Sequence, residues 1–500
     1  MSSAIDSDAT AAPRRTWSER VLQAPVVLCL FLIYLLFFFG SHEGVTDPDI
    51  WWHLRNASLL VSTHHMIHVD TMSYTVAGKP WVNFEWLAEL PYYFAYTWLG
   101  DSGLYLVMML VSSAIAAGIY TLALLRSRDS LAAFMASFVA IVCAEVSLGP
   151  RTLLFGWLCL VLELAILWKL QNGRDHTVWL PVLFLVWINL HGSWFLGLGL
   201  MLLHFACGFV EGEWGNLYAA RWSPAQARKL AAVSVACVAA LFVNPYGWRL
   251  VVYPLDALVH DKVGTQYITE WASLDFHTAL GKAVLAAMIG MGMLQLIRRQ
   301  RWSLQDCVLI FVGIWGAFAY VRFVFLFGVL VAPLLAPLLR MPAPGQPKSN
   351  RNGRLLSALA IAALLALIVT GYPKAKQLHA GIASSFPEKA LPYVRSLAGK
   401  GRLLNEYRWG GYLEWEAPKV KTFIDSRSDI FVQNGIMADY ASVVHVEDTL
   451  GVLDRYDIRY VLLPEKNPAA YVLAHNAAWK KTYDDGQAVG FERVDRTTSR

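Results

Sequence analysis

The 500-residue chain has 16% charged residues against 56% hydrophobic ones, and its mean hydropathy is +0.42. Soluble globular chains carry roughly 25% charged residues, so an ordinary soluble protein is excluded, and the 20 Trp, 21 Tyr and 24 Phe fit a bilayer protein with aromatic belts. The net charge of +5 is small for this length and no basic block flanks clustered aromatics, which argues against nucleic-acid binding; the six cysteines sit in or beside apolar runs without a CxxC, which argues against a disulfide framework or a thiolate metal site.

Apolar stretches close to the length that crosses ~30 Å of hydrocarbon recur at 21–40, 103–125, 131–149, 152–170, 178–193, 194–210, 229–243, 281–297, 306–321, 323–340 and 355–372. The first follows Arg14, Arg15 and Arg20 without a small-residue cleavage site, so it is expected to be a retained anchor behind a cytoplasmic tail, 1–20. Basic residues then mark alternate loops: Arg126/Arg128, Lys169/Arg174, Arg221/Arg228/Lys229, Arg298/Arg299/Arg301 and Arg340/Lys348/Arg351/Arg354. The positive-inside rule makes these loops cytoplasmic. Loops 41–102 and 244–280, the turns at Pro150–Arg151, His191–Gly192 and Arg322, and the region after residue 372 then lie outside, on the cytoplasmic (inner) membrane of a multi-pass protein. The expected fold class is mainly α: a polytopic helix bundle of about eleven spans over 21–372, with a large first outer loop at 41–102. A small extracytoplasmic α/β domain is expected at 373–500, with strands at 403–407, 421–425, 460–464 and 489–493 and helices at 387–397 and 436–456.

Chemistry concentrates on that outer face. Thr46-Asp-Pro-Asp-Ile-Trp-Trp-His-Leu follows the first span; Asp47 can cap a helix opening at Pro48, with Asp49, His53 and Asn56 on one face and Trp51 and Leu54 turned elsewhere, as in a helix lying in the headgroup layer. Structural capping alone is one reading of this segment. The other is a carboxylate pair that takes a proton from an acceptor hydroxyl or holds a divalent cation. Glu85 and Glu89 follow at i, i+4 on a second short aromatic helix, Glu85 between Phe84 and Trp86. Arg151 and Arg322 lie at outer span ends, where a guanidinium either anchors to headgroups or grips a phosphate. His191 lies in a turn between two spans that borders the same face. Glu145 is an intramembrane acid with Arg151 as candidate partner, and Glu270, Asp275 and His277 can add an acid or ligands from the 244–280 loop. His64, His65 and His68 lack the acidic companion of a zinc motif, and the Asp425-Ser-Arg427/Asp429 segment reads equally as a turn or as a ligand loop.

The runs Asp47-x-Asp49-x-Trp-Trp-His-Leu, His68-x-Asp70-x-x-Ser73-Tyr74-Thr75 and Trp81-x-x-x-Glu85-Trp86-Leu87 resemble the first outer loop of the GT-C superfamily of integral-membrane glycosyltransferases, near the protein mannosyltransferase and aminoarabinose transferase type. The resemblance continues through Arg151-x-x-Leu-Phe, Trp187-x-Asn189-x-His191-Gly192, Asn244-Pro-Tyr-Gly, Glu270-Trp271 and Gly410-Gly411-Tyr412-Leu413…Phe423-Ile424-Asp425-x-Arg427, and so covers most of the chain. It implies transfer of a sugar from a polyprenyl-phosphate donor to a hydroxyl of a glycan, lipid or protein acceptor at the outer face. Asp49 or Asp47 would be the base, with Glu85 beside them. His53, Arg151, His191, Arg322 and Glu270 would be substrate contacts. A divalent cation is left open, and its ligands are unknown. The competing classes are a non-catalytic polysaccharide or lipid transporter, which should carry ionisable residues on both sides of a mid-membrane path, and a cell-envelope scaffold. Within the spans only Glu145 and Glu163 are so placed.

Overall fold

A computed structural model describes residues 24–40, 45–260, 271–341 and 351–494. The expected tail at 1–20 and Glu270 lie outside the described residues. Each of the eleven apolar stretches coincides with a helix: α1 (Ala24–Gly40), α4 (Asp101–Ser127), α5 (Ser130–Cys143), α6 (Leu153–Gln171), α7 (Leu180–Leu190), α8 (Trp194–Cys207), α9 (Pro224–Ala240), α11 (Ala279–Arg298), α12 (Leu304–Ala319), α13 (Val324–Leu339) and α14 (Arg351–Thr370). Among the described residues, five helical segments are long and apolar enough to cross a membrane, or six if 355–370 and the bent helix after it count as one span. Helices α7, α8 and α12 are apolar but shorter than that. The bundle packs around α13, whose residues are buried nearly throughout against α4, α5 and α12. An all-round apolar helix belongs in such a central position.

Between the spans, the first loop folds into α2 (Asp49–Thr63) and α3 (Trp86–Leu99), and the 244–280 loop contributes α10 (Trp248–His260). A small sheet not expected from the sequence joins β1 (Gly212–Trp214), β2 (Leu217–Ala219) and β3 (Trp302–Ser303). After α15 (Ala375–Ser385) and α16 (Leu391–Ser396), a four-stranded sheet is built from β4 (Arg402–Asn405), β5 (Ile458–Pro464), β6 (Trp479–Asp484) and β7 (Ala488–Arg493) in the order β4-β5-β7-β6. Its helices are α17 (Gly410–Glu416), α18 (Ser428–Gln433), α19 (Ile436–Val444), α20 (Thr449–Arg455) and α21 (Pro468–Ala474).

Two details of the sequence reading are corrected. The 421–425 run is not a strand of this sheet: Phe423 N–H donates to the Asn405 side chain at 2.8 Å, Tyr74 N–H donates to Thr422 O at 3.1 Å, and the Thr75 hydroxyl donates to Phe423 O at 2.5 Å, so its backbone is satisfied by the first loop and by a side chain. The strand at Trp479–Asp484 was not anticipated, because its exposed Lys480 and Lys481 blunt an edge and dilute the apolar signal.

The first loop and the tail share their cores. Trp52, Val76 and Trp81 pack with Phe423, Ile424 and Phe431 under the sheet. Trp51 is not in a headgroup layer: it is 1% exposed, edge-on to Phe386 and Tyr412 at 5.6 and 4.9 Å. Burial of each such aromatic contributes roughly 1.5–3 kcal/mol. Helix α17 seats directly on α2 at Gly411, where a Cβ would come within 3.0 Å of Trp52 N and 3.2 Å of Pro48 O; at Gly410 it would meet Ile424 O at 2.2 Å. The paired glycines therefore allow the close approach of three backbone segments. Behind them, Arg427, fully buried, holds Asp425 at 2.5 Å and Asp70 at 2.8 Å and lies over Trp81 at 4.8 Å. Asp425 and Arg427 thus form a structural clamp onto the first loop, while Ser426 and Ser428 of the same segment line a cavity, so the turn and ligand-loop readings both apply to it.

Candidate functional site

Where bundle, first loop and tail meet, a cavity of about 630 Å³ opens, lined by Asp49, His53, Glu85, Arg151, His191 and Arg322 among others. Six residues spread over nearly 275 positions are brought to one space. Asp47 sits behind them. Its Oδ1 accepts the Asp49 N–H at 2.9 Å, two residues on, as a cap on a helix opening at Pro48 does, and its Oδ2 is held by the Arg151 guanidinium. Arg151 therefore pairs with Asp47 and not with Glu145, which is exposed on a 3₁₀ turn.

Asp49 is the carboxylate at the cavity wall, accepting only the Trp52 indole N–H at 3.3 Å among its own turn's groups. Burial, and then the negative charge of Asp47, push it up to about 6 against the opposing pull of the Ser426 hydroxyl, His53 and Arg151. The second acidic pair behaves differently. Glu89, fully buried on α3, accepts from His53 Nδ1 at 2.9 Å and from the Asn83 amide at 2.9 Å, with Asn56 at 3.4 Å. Burial raises its carboxyl despite these partners. Glu85, the residue before α3, faces His191 Nε2 at 3.1 Å and His53 Nε2 at 3.5 Å. Burial would raise it, but the hydrogen bond from His191 and the charge on His53 bring it down to about 2. His191 Nδ1 accepts the Ser193 N–H at 3.0 Å, so its Nε2 carries the proton donated to Glu85. The expected face of α2 is therefore realised: Asp49 looks into the cavity, while His53 and Asn56 reach α3.

Arg322, in a 3₁₀ turn between α12 and α13, lies over the Trp271 ring at 5.4 Å and has no carboxylate partner among the described residues. The opposite wall comes from the tail and was not foreseen: Glu406, Tyr407, Arg408, Tyr440 and His445. The Tyr440 hydroxyl donates to Glu406 Oε2 at 2.7 Å and accepts the Tyr407 N–H at 3.0 Å, and burial raises the Glu406 carboxyl. The local signal for these residues was weak, since nothing in Glu-Tyr-Arg-Trp announces a cavity until the tail folds back over the first loop. Asp275 and His277 lie on an exposed turn away from this space, where the Asp275 carboxylate accepts the His277 N–H at 2.8 Å. Among the described residues no three His, Cys, Asp or Glu side chains converge as metal ligands.

No family model matches the sequence, and no curated protein matches it. The fold does have solved counterparts. The chain is similar to the apo oligosaccharyltransferase of Archaeoglobus fulgidus, with a TM-score of 0.53 and 14% identity over 90% of this chain and 69% of that one. It is similar also to archaeal oligosaccharyltransferase AglB from Archaeoglobus fulgidus in complex with an inhibitory peptide and a dolichol-phosphate, with a TM-score of 0.53 and 13% identity over 90% and 70%. The chain shares the fold of these oligosaccharyltransferases. ArnT from Cupriavidus metallidurans bound to undecaprenyl phosphate also matches, with a TM-score of 0.42 and 12% identity over 94% and 98% of the two chains.

Proposed function

We propose that this GT-C protein transfers a sugar from a polyprenyl-phosphate donor to an acceptor hydroxyl at the outer face of the membrane. The observation that carries the reading is the cavity itself, whose lining brings together the Asp49 carboxylate, the guanidinia of Arg151 and Arg322, and His53, Glu85 and His191. The dolichol-phosphate bound by the archaeal enzyme of the same fold supports a lipid-phosphate donor. Asp49 accepts the proton of the acceptor hydroxyl as its oxygen bonds to the anomeric carbon. The bond from that carbon to the phosphate oxygen breaks on the opposite side, with inversion, and the lipid phosphate departs with the electron pair. Arg322 and Arg151 offset the charge that develops on the departing phosphate. A base that titrates near 6 is ionised at neutral pH and still basic enough to take the proton. Asp47 and Glu85 are positioning residues: the first holds Arg151 and the start of α2, the second holds His53 and His191.

Transfer from a radiolabelled polyprenyl-phosphate sugar in reconstituted vesicles tests this, with acceptor glycans, lipids and peptides supplied in parallel. Asp49→Asn should reduce turnover by two orders of magnitude or more while the protein keeps its melting temperature. Full activity in that variant would end the assignment.

A further inference from the structure

A second large cavity, about 750 Å³, lies at the other end of the same helices. Helix α6 begins next to Thr152 in the candidate site and ends at Gln171 in this cavity; its 19 residues span about 28 Å. Helix α12 runs the opposite way, from Ser303 at this cavity to the turn that carries Arg322. The two spaces therefore face opposite ends of a bundle about as thick as the hydrocarbon layer.

Four arginines, Arg126, Arg128, Arg174 and Arg301, line this cavity against one carboxylate, Asp306. Arg126 is committed to Asp306 at 3.0 Å and Arg301 to Glu213 at 2.7 Å. Arg128 and Arg174 hold no ion pair among the described residues. The acids next to them in sequence are occupied: Asp129 accepts the Leu131 and Ala132 N–H groups as a helix cap, and Asp175 holds Lys229 at 2.6 Å. Apolar lining comes from Leu124, Leu125, Leu334 and Pro337, and three half-buried tryptophans, Trp168, Trp222 and Trp302, line it as well. The small β1-β2-β3 sheet ties the chain after α8 to the start of α12 and so fixes this mouth.

An independent observation points inward from the same place. His204 on α8 is 3% exposed, and neither of its ring nitrogens has a partner. It lines a small void of about 20 Å³, enough for one water, that shares Arg126, Trp168, Gln171 and Leu334 with the large cavity. A buried imidazole without a partner is destabilising, and an oxygen entering from the cavity would satisfy it.

We infer that this cavity is a second binding site, for a phosphate group carried on an amphiphile: the two uncommitted guanidinia take the phosphate, the leucine and proline side chains take the apolar part, and the tryptophans suit the polar–apolar boundary between them. The same chemistry would accept free inorganic phosphate, so both sources are tested. Calorimetric titration of the purified full chain in maltoside detergent uses dihexanoyl phosphatidic acid, inorganic phosphate, and dihexanoyl phosphatidylcholine as the control whose phosphate is a diester in a zwitterionic headgroup of no net charge. Phosphatidic acid should give a saturable phase that Arg128→Gln/Arg174→Gln weakens at least tenfold. Arg151→Gln/Arg322→Gln, at the outer cavity, should leave this phase in place. Arg298→Gln/Arg299→Gln, which removes two arginines that do not line the cavity, should leave it too. Tighter binding of phosphatidic acid than of inorganic phosphate by tenfold or more supports a lipid ligand, and equal binding overturns the amphiphile in favour of soluble phosphate. No saturable phase, or equal loss in the Arg298/Arg299 variant, overturns the site, since diffuse attraction to a basic face would behave in that way. Equal melting temperatures for the variants establish that each is folded.

Discussion

The pH dependence of transfer should report on Asp49 directly. Its carboxyl is pushed up to about 6 by burial and by Asp47, whereas Glu85 is held down at about 2 by its two histidines. Only ionised Asp49 accepts a proton, so the rate falls as pH drops through 6 and Glu85 contributes nothing to that limb. With one group titrating at about 6, the ionised fraction is roughly nine-tenths at pH 7 and one-tenth at pH 5, an approximately tenfold loss of turnover over that interval. Arg151 lowers the Asp49 carboxyl, so Arg151→Gln should shift the acid limb to higher pH in addition to slowing the reaction. The assay is single-turnover transfer from a labelled lipid-linked sugar in vesicles buffered from pH 4.5 to 8, with substrate loaded beforehand so that the chemical step is observed. A flat profile over this range, or an acid limb that stays in place when Arg151 is removed, would refute Asp49 as the base.

Three other substitutions separate the roles of the surrounding residues. Arg322→Gln should lower kcat/KM for the lipid-linked donor by about tenfold to a hundredfold, the worth of a charged hydrogen bond; an unchanged value would mean that the side chain only anchors to headgroups. Glu85→Gln should reduce kcat by unpinning His53 and His191 while an acid limb persists, because Asp49 remains the titrating base; loss of the limb would make Glu85 the titrating base. Arg427→Met should destabilise the full chain by about 3–5 kcal/mol, read as a lowered melting temperature in detergent, because it leaves Asp70 and Asp425 buried without their cation. A variant that melts like the parent would show that the clamp contributes little.

The parts of this architecture that are legible in the sequence are the ones governed by local periodicity. Apolar runs locate the eleven bundle helices, and Asp49, His53 and Asn56 are assigned one helical face because their spacing alone determines it. Asp47 and Arg151 were both identifiable as polar groups at outer span ends, but 104 positions separate them, and no spacing rule predicts such a pair. The same holds for Trp51 and Trp52: aromatic residues at the end of a span have the same local signature whether they meet headgroups or a folded tail. Glu406, Arg408 and Tyr440 carry no motif, and their place at the cavity follows only from α17 settling on α2 through Gly410 and Gly411.

That packing has a consequence for how the tail takes part in the chemistry. A domain appended to the bundle through solvated contacts could be removed without disturbing the first loop, yet here the loop's own tryptophans have their hydrophobic neighbours in the tail. The Arg427 cluster adds a buried set of charges across the same boundary, one guanidinium between the Asp70 and Asp425 carboxylates. Such a cluster contributes more to fixing the relative position of two elements than to net stability, because desolvation offsets much of its attraction. Position is what the site requires. Asp49 lies in the first turn of α2, so a displacement of α17 relative to α2 is transmitted within one turn to the carboxylate that faces the cavity, and a shift of about 1 Å in a reacting group is enough to cost roughly a hundredfold in rate. The tail is accordingly one wall of the site and the support for the other, and loss of activity on deleting residues 373–500 would not by itself distinguish a catalytic contribution from loss of this support; substitution at Tyr440 or Arg408, which leaves the clamp intact, does.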